Sequence, residues 1–398
     1  MAKELAHFQN FAKLKDTEVA FNDITVIAGK PGTGKSYVMK FMYAIDEAFY
    51  RKTNNILSID AINSNRENLS FYADFFLKED KVSFAYQLLN ENKFDEYQHL
   101  LLNNLKKETP ETLKKLLGKA IYEIQMYEDM PLEEQFILFL SNLVKSIFID
   151  YSQISDSFSI DMNNLQLSNV DADLEFNFKN ILSKSNQTVI FVETPLILEF
   201  KKFMKKEKGK TPYHIESFLN ILDTDYSFTD KEQDKFIKSF RAKAQDIIGG
   251  DIESSGDSFI FNGKDDKNYD ILNASSGTKS IGLLQYLVTN KALKKGSVLY
   301  WEEPEVHLHP EWQLKMIDLF VELMNAGVKI VFSTHSPYMP DYLNAISKRR
   351  GFADRVSFNL FKETKGVVEN HILDTEEKWQ MIQDELLGSL EEIMWEYV

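Results

Sequence analysis

The 398-residue chain contains no cysteine, which removes disulfides, thiol nucleophiles and thiolate metal sites from consideration. No apolar run approaches the length of a membrane span. The opening stretch, MAKELAHFQNFAK, has no apolar segment of the kind a secretion signal needs. These absences predict a cytoplasmic protein that makes no use of a membrane. Positive charge is also scarce: 46 Lys and Arg stand against 61 Asp and Glu, a formal net charge of −15. That balance excludes a surface that wraps nucleic acid everywhere, because duplex affinity rests mostly on phosphate neutralisation. Internal repeats and low-complexity tracts are missing, and the length allows two or three lobes with a sizeable core.

What the chain does have is GKPGTGKS, from Gly29 to Ser36, which matches the pattern GxxxxGKS at every fixed position. The apolar run Ile24 to Ala28 reads as a strand entering this loop, and Tyr37 to Met42 reads as a helix leaving it. Glycines at 29, 32 and 34 let the backbone curl so that successive N–H groups point inward, reinforced by the positive end of the helix. Lys35 adds a mobile cation for β- and γ-phosphates, and Ser36 adds a hydroxyl for Mg2+. A nucleoside triphosphate with Mg2+ is the expected ligand, held by Gly29, Lys30, Pro31, Gly32, Thr33, Gly34, Lys35, Ser36 and Tyr37.

Three further segments carry chemistry. The apolar strand Ser297 to Trp301 ends in Glu302-Glu303-Pro304-Glu305, followed by Val306-His307-Leu308-His309-Pro310. In P-loop enzymes the first acid of such a pair holds the Mg2+ shell, here Glu302, and the next polarises the attacking water, here Glu303. Alone, the segment also reads as an acidic turn, with His307 and His309 as a metal pair or a polar strand edge. Ala274 to Ser280 precedes a helical pattern, so Ser275, Ser276 and Gly277 present N–H groups and hydroxyls at a helix start, an anion site. Val328 to Thr334 reads as a strand that delivers His335 to the carboxyl end of a sheet, where α/β proteins bind ligands.

Together the four segments resemble the ATP-binding head of the ABC ATPase superfamily, in its RecF/OLD/SMC-like branch. GKPGTGKS stands where that family has Walker A, ASSGTKS its LSGGQ-type signature, VLYWEEPEVHLHP its Walker B and D-loop, and FSTHSP its switch histidine. The EPExHLHP form looks like the branch that includes OLD-type defence ATPases. The resemblance implies an α/β P-loop head of mixed sheets and flanking helices, two copies of which meet head to tail around ATP. Lys35, Glu303 and His335 would be its catalytic residues and Ser36 with Glu302 its metal ligands; Ser275, Ser276 and Gly277 would cap the partner's ATP. Lys279 reads either as a cation aimed across the dimer at the γ-phosphate or as a solvent-facing first-turn lysine. The chain departs from the family at Glu302, one methylene longer than the usual aspartate, and at Pro31, which removes one N–H donor from the loop. Both departures point to slow hydrolysis. Gln153 and Gln166 leave the Q-loop unassigned, and Phe8 and Phe11, upstream of the loop, read as core rather than as adenine contacts.

The expected organisation is discontinuous. Residues 1–62 form the first part of the head, including a strand from Asn55 to Asp60; residues 63–145 form an inserted helical lobe with Leu100–Leu102, Leu105, Leu113, Leu116, Leu117 and Ile121 at helical spacing. Residues 146–195 return to head strands, 196–250 make a short helical arm, and 251–398 complete the head. Some fifty residues in the arm allow a hairpin of roughly 35 Å, which excludes a long coiled-coil rod. Asp223-Thr224-Asp225 reads as a capping turn, since the stretch after His335 is too short for the nuclease that OLD enzymes carry there. The closing stretch from Glu376 has Trp379, Ile382 and Leu386 at helical spacing and is expected to pack on its own head.

The functional expectation is an ATPase that dimerises around ATP and controls a separately encoded effector, a nuclease or toxin of antiphage defence. The alternatives are a RecF-like DNA-binding repair ATPase, for which Lys201 to Lys210 is the densest basic patch, and a nucleotide-gated scaffold with little hydrolysis.

Overall fold

The computed structural model describes residues 3–396 apart from 55–58, 92, 105–110, 149–156, 163–164, 171–172, 179–186, 205–210, 225, 227–230 and 266. The chain folds as two compact units, one made of Met1–Tyr50 with Ser141–Val398 and the other of Arg51–Leu140.

The larger unit opens with β1 (Glu4–Phe11), β2 (Leu14–Phe21), β3 (Ile24–Gly29) and the start of α1 (Lys35–Thr53). The smaller unit holds α2 (Ile59–Phe76), α3 (Glu79–Asn90), α4 (Phe94–Asn104), α5 (Glu111–Asp129) and the beginning of α6 (Leu132–Ile147), which carries the chain back. Then follow β4 (Ser159–Met162), β5 (Leu165–Val170), β6 (Asp173–Phe178), β7 (Val189–Val192), α7 (Ile197–Met204), α8 (Tyr213–Asp223) and α9 (Lys231–Ile248). The last part comprises β8 (Gly250–Ser255), β9 (Ser258–Gly263), β10 (Asn268–Asp270), α10 (Ser276–Thr289), β11 (Val298–Trp301), α11 (Pro310–Asn325), β12 (Lys329–Thr334), α12 (Tyr338–Arg350), β13 (Val356–Thr364), β14 (Val367–Ile372) and α13 (Glu376–Glu396).

One mixed sheet of 11 strands, ordered β6-β5-β4-β1-β2-β14-β13-β3-β12-β11-β7, forms the frame, and β8–β10 make a second sheet of 3. From β13 to β7 the neighbours run parallel. These strands read as unbroken apolar runs because both faces are covered: β3, β7 and β11 are buried at every position. Residues from β3, β11 and β12 share one core with helices on the sheet. The smaller unit has its own core around Leu69, Leu88, Tyr97, Leu101, Leu117 and Ile121.

The structure differs from the sequence reading in three places. Ile59 and Asp60, expected in a strand, open α2, while 55–58 lie outside the described residues. Their alternation of apolar and polar residues suits either element over so short a run. The stretch read as an arm, 196–250, belongs to the head: Phe218 and Leu222 of α8 and Phe240 and Ala244 of α9 are in the core beneath the sheet. Interleaved charges disguised a single apolar stripe on each helix. Lys201, the first residue of the expected basic patch, is wholly buried and pairs with Asp223 at 2.7 Å, so it is closed to DNA; residues 205–210 of that patch lie outside the described residues.

α13 packs on the head. Ile382 is fully buried, and the Trp379 ring meets Phe358 edge-on with centroids 4.8 Å apart while its indole N–H donates to Asp341. Where β3 ends, Gly29 has φ of +147°, and an added Cβ would stand 2.3 Å from the Phe361 carbonyl oxygen. Gly29→Ala is therefore expected to destabilise the head by about 2 kcal/mol or more through combined strain and overlap, measured as a lowered denaturant midpoint at unchanged slope.

Candidate nucleotide site

Parallel pairing sets the site. Ser333 of β12 stands opposite Ile27 of β3, and Trp301 of β11 stands opposite Phe332 of β12, so the loops after all three strands open on one edge. The phosphate loop leaves β3 and folds back on itself. Lys35, buried, donates from Nζ to the carbonyls of Gly29 and Lys30, each at 2.9 Å, and the Thr33 hydroxyl donates to the same Lys30 carbonyl at 2.9 Å. Gly32 and Gly34 have φ of +77° and +88°, a region in which a side chain would be strained.

A cavity of about 420 Å³ lies over this loop, lined by residues 31 to 37, Glu303, His335, and Ala12 with Lys13. Its size suits a nucleotide. Ala12 and Lys13 form the turn between β1 and β2, where Ala12 has φ of +53°. The sequence gives little sign of this wall, since the turn is marked by neither glycine nor proline. Phe11 beside it is wholly buried against Phe41 and Phe158, and Phe8 is core as well.

The acids divide into three roles by their contacts. His335 Nε2 donates to Glu303 Oε1 at 2.8 Å, and Glu303 has φ of +46°, a conformation unusual outside glycine. Glu305 serves the turn behind: its Oε1 accepts from the His335 N–H at 2.6 Å, the Thr334 hydroxyl at 2.9 Å and the Ser336 N–H at 3.3 Å. Burial raises its pKa, opposed by those hydrogen bonds. Glu302 shares a hydrogen bond with Ser36, while its Oε1 is buried with no partner. Burial pushes the Glu302 carboxyl up to about 7, helped by Glu193 and Glu303 and opposed by Lys40 and Ser36. Burial likewise lowers Lys35 to about 8 against the pull of Glu303, Glu305 and Glu302.

An orphaned buried carboxylate oxygen beside a serine hydroxyl fits a divalent cation that also binds phosphate. Among the described residues no group of three or more His, Asp and Glu could hold a metal by itself. His309 caps α11 by accepting from the Glu311 N–H, and His307 is exposed.

A family model for the AAA ATPase domain matches residues 7–339. The chain belongs to the AAA ATPase domain family. Among solved structures it is similar to the SMC head domain from Thermotoga maritima, with 10% identity and a TM-score of 0.42 over 94% of this chain and 100% of that one. It is also similar to an Smc head bound to the C-winged helix domain of ScpA, with 13% identity and a TM-score of 0.40 over 96% and 100%. A third likeness is to MJ1267, an ATP-binding cassette of an ABC transporter in its ADP conformation, with 10% identity and a TM-score of 0.35 over 96% and 94%. No curated protein matches the chain.

In this AAA ATPase domain the serine-glycine turn lies apart from the cavity and Lys279 differs from expectation. Ser275 is exposed and caps α10, accepting from the Thr278 N–H at 3.2 Å. Ser275, Ser276 and Gly277 take no part in lining the cavity on their own head. Lys279 is neither a projecting cation nor a solvent-facing residue. Its side chain is 4% exposed and its ammonium is bound to Glu199 of α7. Buried on the inner side of α10, it must find an anion within the head, and α7 supplies one.

On the far side of Glu302, the register places Glu193 next to it, just past Val192 of β7. The Glu193 carboxylate is held near 2 by its hydrogen bond with His214, with Lys40 at 2.9 Å adding to the effect. The sequence carries no local sign of this cluster, because its members come from three separate places in the chain. Among the described residues no helix is long and apolar enough to cross a membrane.

Two outcomes are expected. The folded protein keeps the Glu302 proton up to about pH 7 while the unfolded chain releases it near 4.5, so the destabilisation from this acid grows between those values and is full above them. Glu302→Gln should raise the Tm of metal-free protein at pH 8 and leave it almost unchanged at pH 4.5, as read by calorimetry at both pH values. Lys279→Met should cost about 3 kcal/mol by stranding Glu199, and adding Glu199→Gln should return most of it, as read by chemical denaturation of both variants.

Proposed function

We propose that this chain is an ABC-type ATPase head that closes with a second copy around ATP and Mg2+, hydrolyses the nucleotide slowly, and by that cycle controls a separately encoded effector. The observation that carries the reading is the division of the site. One head lines its cavity with the phosphate loop, Glu303 and His335, while its own Ser275 to Gly277 turn, of which Ser275 is exposed at a helix start, takes no part in that lining, which supports its meeting a triphosphate elsewhere.

In the proposed step Glu303 accepts a proton from the water that attacks the γ-phosphorus as the bond to the ADP oxygen breaks. His335, hydrogen-bonded to Glu303, fixes that carboxylate and faces the transferred phosphoryl group. Lys35 exchanges its two carbonyl acceptors for the β- and γ-oxygens, to which its ammonium donates. Ser36 and Glu302 would hold the metal, which would supply positive charge against the triphosphate. The longer glutamate and the cost of ionising it where it is buried support slow turnover.

Control of a nuclease or toxin in antiphage defence rests on the likeness of the EPExHLHP segment to OLD-type ATPases and is an analogy of family. Direct DNA binding is the weaker reading, because Lys201 is occupied with Asp223. Glu303→Gln is expected to bind ATP, accumulate dimers and lose about a hundredfold or more in turnover, whereas Lys35→Ala should lose ATP binding. Turnover in Glu303→Gln equal to that of the parent would take Glu303 out of the mechanism. Co-purification of the natively expressed protein followed by mass spectrometry tests the effector.

A further inference from the structure

We infer that Lys13 is a second phosphate-binding cation of the nucleotide cavity and that Glu363 is the latch it leaves to reach a polyphosphate. The inference rests on the nucleotide reading of the cavity and assigns a pair of residues outside the four sequence segments that carry that reading.

Unusual backbone places the cation. β1 and β2 stay paired as far as Phe11 opposite Leu14, which leaves Ala12 and Lys13 as the whole of the turn between them. Ala12 has φ of +53° and Asn10 has φ of +51°. Left-handed backbone at residues other than glycine persists only where the surroundings over-determine it. Here they do: Phe11 and Leu14, on either side of the turn, are buried, and the Lys13 carbonyl accepts from the Val368 N–H of β14 at 3.1 Å. With its backbone fixed, Lys13 keeps a half-exposed side chain that can swing on its four-carbon stem.

The ammonium lies between two acceptors of its charge. On one side is the phosphate loop, because Lys13 lines the cavity and a Cβ added to Gly32 would come within 3.9 Å of its Nζ. On the other is Glu363, to whose Oε2 it donates at 2.9 Å. Strand register puts Glu363 there. Phe361 of β13 stands opposite Gly29 of β3, so Glu363 is carried two residues past the start of the loop along the same edge of the sheet. Glu363 does not itself line the cavity.

Charge favours the exchange. Lys35, the cation within the loop, already faces Glu302, Glu303 and Glu305, and a polyphosphate adds further negative charge beside them. A mobile ammonium on the wall of the cavity answers that charge, since charge-assisted bonds to phosphate are stronger than a half-exposed pair with one carboxylate. Glu363 is 37% exposed, so water solvates it once Lys13 has swung away. A pair that only joined the two hairpins would hold the turn in place and leave nucleotide affinity alone.

Affinity therefore separates the two roles. The probe is ATP with Mg2+ in the Glu303→Gln background, measured by equilibrium dialysis at protein concentrations too low for pairing. Lys13→Met should raise the dissociation constant about tenfold, and Lys13→Arg should keep most of the affinity. Glu363→Gln should lower the constant about threefold by removing the competitor, and the Lys13→Met/Glu363→Gln pair should bind as weakly as Lys13→Met alone. Glu363→Gln reports independently should Lys13→Met fold poorly. If Glu363→Gln weakens binding as Lys13→Met does, the pair is a prop for the loop and the latch is overturned, as it is by a constant that neither change moves. Loss of binding in Lys35→Ala beside such unmoved constants would leave the nucleotide reading standing, whereas a parent protein that binds no ATP would remove both.

Discussion

The in-register alignment of β3, β12 and β11 is the constraint on which the nucleotide site depends. Parallel strands carry all their side chains to the opposite face if they slip by one residue. A slip of β11 would turn Glu302 and Glu303 away from the loop after β3 and would break the hydrogen bond by which the Glu303 N–H reaches the Ser333 carbonyl. The fully buried apolar faces of these strands resist such a slip, because each residue fills a place in a core shared by helices on the sheet. The chemistry at the strand ends is thus held by packing at their centres.

Crowding three carboxylates beside one lysine carries an electrostatic cost, and the structure meets it unequally. Glu305 is satisfied on one oxygen by three donors from the turn around His335, so it acts as a structural strut. Glu303 has the imidazole. Glu302 has only a serine hydroxyl and a lysine at longer range, and its second oxygen has no partner. The unsatisfied atoms Glu302 Oε1, Glu305 Oε2 and His335 Nδ1 mark where the protein alone leaves the site unfinished.

The phosphate loop, the acid-bearing strand and the histidine-bearing strand were legible because each joins an unbroken apolar run to polar residues at its end. Such a pattern has few structural solutions other than a buried parallel strand. The groups that escaped notice are assembled from distant pieces. Ala12 and Lys13 enter the cavity only because β1 and β2 belong to the same sheet as β3, and Glu193, with Lys40 and His214 on it, reaches Glu302 only because β7 is the neighbour of β11. The arm expected at 196–250 failed for a related reason: charge interleaved with apolar residues reads as a solvated hairpin, whereas Lys201 is buried in an ion pair with Asp223 and Glu199 binds Lys279 of α10, so that α7 belongs to the head. Pairing of this kind is invisible to periodicity, which counts every lysine as exposed.

The loop is also anchored from behind by residues near the other end of the chain. Phe361 presses on Gly29, Glu363 holds Lys13 at 2.9 Å, and Glu385 of α13, nearly buried, stands 3.4 Å from the Lys30 ammonium. Lys30 is the node of the loop, since its carbonyl accepts from both Lys35 and Thr33. A single exposed ion pair would contribute little. Here the pair is joined to Ile382 and Trp379, whose packing seats α13 on the sheet, so the helix and the loop constrain one another through more than charge. The first residues of the loop therefore take their shape from elements far along the chain, where β13 pairs with β3 and α13 packs on the same sheet.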